Sequence, residues 1–272
     1  PKLEDMKITS ERTLKVFALA NVKKFHEYQR KIGQPLPGGV RAYYKPSDQW
    51  ITLFEGGKWE KRAKEGESSF NINKIFHEGT HQLVHVYTKI LMGRIKNGDI
   101  TDPKDPDYDE QPWVGYNVHS KLHWFQEGFA ELLAASKPVG DSCERMQMHR
   151  NRPEERKGRR KMKKDEWPFE TLIKIPDRRV LMQKGMEIGL HPMEAGRLSS
   201  LFYAQAWVLC HYLWSAEDGK HREKFLEYMG MELTGKTGYK NWVKVWGNED
   251  WASLAKKVDA HFDKLCAEMG VK

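Results

Sequence analysis

The stretch "NKIFHEGTHQLVHVY", Asn73 to Tyr87, constrains this chain more than any other. It spaces His77, His81 and His85 four residues apart and sets Glu78 directly after the first of them. On a helix, residues i and i+4 lie one above the other, so the imidazoles of His77 and His81 can reach a common point. A rise of 1.5 Å per residue puts His85 about 12 Å from His77. His85 therefore cannot share that point with both others, and it reads as a packing or supporting histidine. Glu78 is turned about 100° from His77, so its carboxylate sits beside the common point without lying on the histidine row. Ile75, Phe76, Leu83, Val84 and Val86 flank the motif. They predict a helix buried on most sides, where histidine and glutamate need partners.

His77-Glu78-x-x-His81 has the H-E-x-x-H form, in which two histidines bind a metal and the glutamate stays free to act as a base. The ion expected is Zn²⁺, one per chain, because imidazole suits it and three protein ligands leave a fourth position open to water. A third ligand is required. The H-E-x-x-H-x-x-G-x-x-H class supplies a histidine from the same segment. Here Val84 and Tyr87 stand at its glycine and last histidine positions, so that class is excluded.

The next strong helical pattern, "LHWFQEGFAELLAAS" from Leu122, carries Glu127 and Glu131 four apart amid Trp124, Phe125, Phe129, Leu132 and Leu133. Two carboxylates on one face of an apolar helix fit one metal ligand and one group that orients a ligand imidazole; two solvated surface acids are the alternative. Gly128 would let this helix approach a neighbour closely. His119 and His123 form a rival spacing, with His123 four residues before Glu127, but it lacks a placed base.

"HEGTH", with "WFQEGFAE" placing Glu127 46 residues after His81, resembles the gluzincin metallopeptidases, whose third ligand is a glutamate on a later helix. The wider pattern is more similar to the bacterial peptidase-MA-like domains. They share a short strand before the metal helix and a later helix like "YAQAWVLCHYL" followed by "GKHREKFLEYM". The resemblance covers roughly residues 35–265, discontinuously. It implies a zincin-like α+β fold, with His77, His81 and Glu127 as zinc ligands and Glu78 as general base. It also implies Glu131 in a supporting role and an extracytoplasmic or secreted setting. Tyr203 resembles a tyrosine of that group, which makes it the candidate oxyanion donor; His211 on the same helix is the alternative, and a plain core role for Tyr203 stays open. One departure matters. Zinc aminopeptidases carry G-x-M-E-N before the metal helix, and nothing in residues 40–70 matches it. An endopeptidase or narrow-specificity peptidase is implied instead.

The rest of the chain frames that site. With 272 residues and 39% hydrophobic content it supports a large core, read as one catalytic domain. The N-terminal part, about 1–122, carries the metal helix. Residues 123–272 form a helical part with a basic insertion near 140–197. No apolar run reaches the roughly 18 residues of a membrane span; "LFYAQAWVLCHYLW" is broken by Gln205 and His211 and reads as a core helix. The chain opens on Pro1 without Met, as a trimmed or processed product would. Three scattered cysteines make neither a disulfide scaffold nor a C-x-x-C metal site.

The net charge is +8, and His149–Lys164 supplies most of it with nine Lys/Arg against two Glu. That run reads as a solvated loop. No aromatic residues interleave with it, which argues against a nucleic-acid platform. Further elements are read as follows. A helix covers Thr13–Ile32, starting near Thr9 or Ser10, and two strands lie within "VRAYYKPSDQWITLF". The metal helix is capped by Asn71 or Asn73 and runs to about Met92, and loops fill 94–122. Helices follow near "RRVLMQKGMEI" and over Ser199–Ser215, His221–Met231 and Asp250–Met269. The strand near "QWITLF" is expected to offer an edge to an extended peptide. Three functions follow: a zinc peptidase acting on a peptide or protein, a silent zinc-containing scaffold, or a nucleic-acid partner using the basic run.

Overall fold

The computed structural model describes residues 15–33, 40–45, 50–54, 70–96, 123–139, 142–144, 152–154, 156–157, 166–175, 178–187, 192–233, 238–247 and 250–271. The fold is α+β: a small sheet early in the chain, then mostly helices. Two compact units divide it. One comprises Thr9–Val84 and Ala130–His149; the other comprises Pro1–Ile8, His85–Phe129 and Arg150–Lys272.

The first unit holds a three-stranded sheet in the order β1–β3–β2, with β1 at Lys15–Leu19, β2 at Ala42–Lys45 and β3 at Trp50–Phe54. β3 runs antiparallel to β2, with Ala42 opposite Leu53, and parallel to β1, with Lys15 opposite Trp50. The two strands read from "VRAYYKPSDQWITLF" are therefore present. The helix expected from Thr13 is not: "KVFAL" is strand, and helix α1 covers only Val22–Lys31. Phe17 explains the difference, since its ring stacks on Trp50 at 5.2 Å and on Tyr28 at 6.0 Å. Asn21 then caps α1 by accepting from the Lys24 amide. The edge expected at "QWITLF" is a second correction. β3 is the central strand, bonded on both sides, so it has no free edge for a peptide. Ala42, Ile51 and Leu53 form a buried cluster on one side of the sheet, and Thr52 and Phe54 of β3 are buried on the other. Phe25 of α1 tilts onto Phe54 at 5.2 Å, and Gln29 donates to the Tyr43 hydroxyl at 2.7 Å.

Helix α2 spans Phe70–Lys96, and α3 spans His123–Ala134. α2 begins before Asn71 and Asn73, so neither caps it, and it runs four residues past Met92. Its flanks are less covered than the apolar neighbours suggested: Ile75 is 38% and Leu83 40% exposed, while Val86 and His85 are buried. The polar loop read over residues 55–69, the loops of 97–122 and His119 lie outside the described residues.

The larger unit is built on aromatic packing. Its helices are α4 (Phe169–Lys174), α5 (Arg178–Glu187), α6 (Pro192–Ser215), α7 (Arg222–Leu233), α8 (Tyr239–Trp246) and α9 (Trp251–Glu268). Trp124 of α3 is fully buried against Tyr228 at 5.5 Å and Trp242 at 5.7 Å. Trp242 in turn stacks on Trp246 and Trp251. α8 was not foreseen; two tryptophans four apart behind Gly238 were its signal. α6 is a core helix as expected, and the break at Gln205 is satisfied inside the protein. Its side chain accepts from the Trp167 amide and donates to the Trp167 carbonyl, both at 2.9 Å. No described helix is long and apolar enough to cross a membrane.

Of the basic run only residues 152–154, 156 and 157 are described, and Arg156 among them is not solvated. Arg156 is fully buried. Its guanidinium donates twice to Glu166, at 2.8 and 3.0 Å, and once to Asp259 of α9 at 2.7 Å. It also lies over the Phe262 ring at 4.5 Å. Lys157 donates to the Val271 carbonyl at 2.7 Å. Glu166 ten residues on and Asp259 from the last helix, with the Phe262 ring beside them, draw Arg156 inward; a local charge count does not register the second of these.

Gly128 sets the approach of α3 to α6. A Cβ there would meet the Ala206 carbonyl oxygen at 2.5 Å and the Cys210 sulfur at 2.8 Å. Gly79 of α2 differs, since a Cβ there would find only the Ile51 side chain, at 4.0 Å. Gly128→Ala is thus expected to destabilise by about 1–3 kcal/mol through overpacking against backbone. Gly79→Ala should stabilise by about 0.5–1 kcal/mol through helix propensity. Chemical denaturation of the two variants checks this; equal effects would contradict the close approach.

Candidate metal centre

His77 and His81 lie one turn apart on α2, and their Nε2 atoms converge to 3.3 Å. The rings stand almost perpendicular, with centroids 4.9 Å apart. A tetrahedral ion with metal–nitrogen bonds of about 2.0–2.1 Å has ligand–ligand edges of roughly 3.3–3.4 Å. The nitrogen pair is therefore already spaced as one edge of such a shell.

The opposite face of His77 is held by α3. Its Nδ1 lies 3.4 Å from a carboxylate oxygen of Glu131, which is only 4% exposed. That separation is long for a charge-assisted hydrogen bond. The pairing still favours the tautomer with its proton on Nδ1, which turns the Nε2 lone pair toward His81. A buried carboxylate also needs such a partner to offset its desolvation.

Glu127 precedes Glu131 by one turn of the same continuous helix, so the His77–Glu131 contact brings it alongside the nitrogen pair. One ligand atom each from His77, His81 and Glu127 all fall within 4.8 Å of one another. Among the described residues this is the one group of three or more histidine, cysteine or acidic side chains so arranged. Two imidazoles and one carboxylate suit Zn²⁺. The fit is closest on the histidine edge, and the carboxylate has a short distance to close. Glu78 follows His77 on α2 and is half-buried. His85 is buried further along α2, in keeping with a packing role.

His123 stands at the start of α3 as a neighbour of Glu127. Its Nδ1 is 3.9 Å from the Glu127 carboxylate, and its ring stacks on Phe202 at 5.0 Å. Tyr203 of α6 meets the same ring edge-on at 5.7 Å. Tyr203 thus reaches the Glu127 side through one intervening ring.

His211 is committed elsewhere. Its Nδ1 faces Nε2 of His261 on α9 at 2.9 Å and the Ser215 hydroxyl at 2.9 Å. Burial first, and then the charge of His261, push its pKa down to about 4. The pKa of His261 is lowered too, by burial and then by Lys264. His261 escaped the sequence reading because nothing near it in the chain marks it; only the crossing of α6 and α9 pairs it with His211. No family model, curated protein or solved structure matches this chain. The functional reading therefore rests on the residues themselves.

The histidine pair makes folding pH-dependent. A histidine kept neutral in the fold binds its proton only when unfolded, so stability is complete above the unfolded pKa near 6.5 and falls as pH drops toward 4. The loss from His211 should be on the order of 2–3 kcal/mol across that window. Melting curves of the wild type and His211→Asn between pH 7.5 and 4 test it. A flatter pH profile is expected in the variant, and identical slopes would refute the assignment.

Proposed function

We propose that this chain is a zinc-dependent peptidase of gluzincin type, hydrolysing peptide bonds with Glu78 as general base. The observation that carries the reading is the convergence of His77, His81 and Glu127, with Glu131 behind His77. A structural metal site needs neither a glutamate next to its first ligand nor an open coordination position.

His77, His81 and Glu127 would hold the zinc, which when bound would supply a Lewis acid for the scissile carbonyl and a water acidified toward a pKa of about 7. The chain's own groups do the rest. Glu131 holds His77 in the ligating tautomer and orientation. Glu78 takes a proton from the attacking water and then passes it to the leaving amine. The Tyr203 hydroxyl donates to the oxyanion that develops on the carbonyl. Gly128 keeps α3 close to α6, so that Glu127 and the helix carrying Tyr203 hold their mutual positions. The motif that holds a substrate's free amino terminus in aminopeptidases is missing, so internal bonds or a narrow set of sequences are the substrates proposed.

The test separates chemistry from metal binding. Glutamine at position 78 keeps size and a hydrogen bond but takes no proton. Glu78→Gln should retain one zinc per chain and lose activity on a peptide library by about 10²–10⁴-fold. Glu127→Gln removes an anionic ligand, so zinc affinity itself should fall. Undiminished cleavage by Glu78→Gln would refute the mechanism. Full zinc occupancy with no cleavage by the wild type would favour a silent scaffold.

A further inference from the structure

Strand β1 is an edge of its sheet among the described strands. Its residues Lys15 to Ala18 are all exposed, whereas a strand packed on one face alternates buried and exposed positions. Ala18 carries a single methyl group, so its exposure is largely exposure of backbone. Beside it, Val16 is 44% and Phe17 43% exposed. An open, apolar strand edge is a template for pairing with another extended segment.

The charge around this edge is one-sided. Residues 15–33 carry Lys15, Lys23, Lys24, Arg30 and Lys31 against Glu27 alone, and all five cations are exposed. The Tyr28 ring stacks on Phe17, which turns that flank of α1 toward β1. Lys24 stands four residues before Tyr28 and Lys31 three after it, on the same flank. Lys24 also keeps an exposed ion pair with Glu27 at 2.9 Å. Lys15 shares the Phe17 side of the strand through the two-residue period, and its Nζ lies over the Trp50 ring at 5.6 Å. Val16 and Ala18 point to the opposite side, where Val16 is in register with Ile51. One side of the edge is therefore basic and the other aliphatic.

These features select the occupant. Antiparallel pairing of two β1 strands from two copies would gather both sets of cations on one side of the joined sheet, where they repel. Phe17 is already stacked on Tyr28 and Trp50, and Lys15 covers Trp50, so the rings make a poor platform for bases. Helix α1 buries Phe25 inside the protein instead of offering it to a bilayer. We propose that β1 is a docking edge for an extended segment of a partner protein in which acidic side chains alternate with aliphatic ones. The segment joins the sheet beside β1, its carboxylates toward Lys15, Lys24 and Lys31 and its aliphatic side chains over Val16 and Ala18. This docking is independent of the metal centre and of the peptidase reading.

The probe is a fluorescein-labelled eight-residue peptide alternating Glu and Val, titrated at low salt into the full chain in EDTA, so that zinc-dependent cleavage does not enter. It should bind about three- to tenfold tighter than the matching Gln/Val peptide, the scale of two exposed ion pairs, and the difference should shrink in high salt. Methylating single backbone amides of the peptide should weaken binding at alternate positions only, since every second amide of a strand faces its neighbour. A Lys15→Gln, Lys31→Gln double variant should bind the Glu/Val peptide no better than the Gln/Val one, with its melting temperature unchanged because both side chains are exposed. Val16→Lys should weaken both peptides. Absent binding, equal affinity for the two peptides, methylation effects without alternation, or a Glu preference that survives the double variant overturns the proposal. So does lysine-dependent binding that is tighter for an oligothymidylate or for phosphatidylserine vesicles than for the Glu/Val peptide. Concentration-dependent dimerisation abolished by Val16→Lys would overturn it in favour of a second copy.

Discussion

Two imidazole nitrogens 3.3 Å apart on one helix are costly to leave facing each other without something between or behind them. Either one neutral ring donates to the other, or both turn lone pairs toward a common electrophile. Glu131 resolves part of this by favouring the proton on the far nitrogen of His77. The near nitrogen of His77 then presents a lone pair toward His81, and Glu127 comes near both from one turn earlier on the helix that carries Glu131. The i, i+4 repeat therefore acts twice. On α2 it sets a pair of nitrogens, and on α3 it sets Glu127 near that pair and Glu131 behind His77.

The remainder of the fold serves to keep α3 in position. Its apolar side, led by the fully buried Trp124, enters an aromatic core shared with α7 and α8. Its glycine meets the backbone of α6 at a separation that no side chain would permit. Local stability is thus concentrated on the helix that carries the acidic groups, which suits a site whose geometry has to be preorganised. Arg156 is held by the same means, through partners brought from other elements. Its fully buried guanidinium is shared by two carboxylates, where composition alone marks a solvated charge.

Much of the site was legible because it is written in local spacing. H-E-x-x-H and the E-G-x-A-E string each fit within two helical turns, and helix periodicity alone puts their side chains on common faces. The α+β class and the strands of "AYYK" and "WITLF" were legible for the same reason. What escaped depends on contacts distant in sequence. "KVFAL" continues a helical pattern until its parallel pairing with β3 is known. β3 looks like an edge until β1 is added beside it. Arg156 looks solvated until Asp259 and Phe262 arrive from the last helix. The His211–His261 pair exists only where α6 and α9 cross. Each miss is a tertiary partner overriding a local signal.

Whether His77, His81 and Glu127 form one zinc shell can be read from X-ray absorption at the zinc edge of the loaded protein. The account predicts a four-coordinate first shell of nitrogen and oxygen scatterers at about 2.0–2.2 Å, with the outer-shell signature of two imidazoles. A sulfur scatterer at about 2.3 Å would place the ion at a cysteine, and a six-coordinate oxygen shell would mark an adventitious surface site. Either result would contradict the assignment.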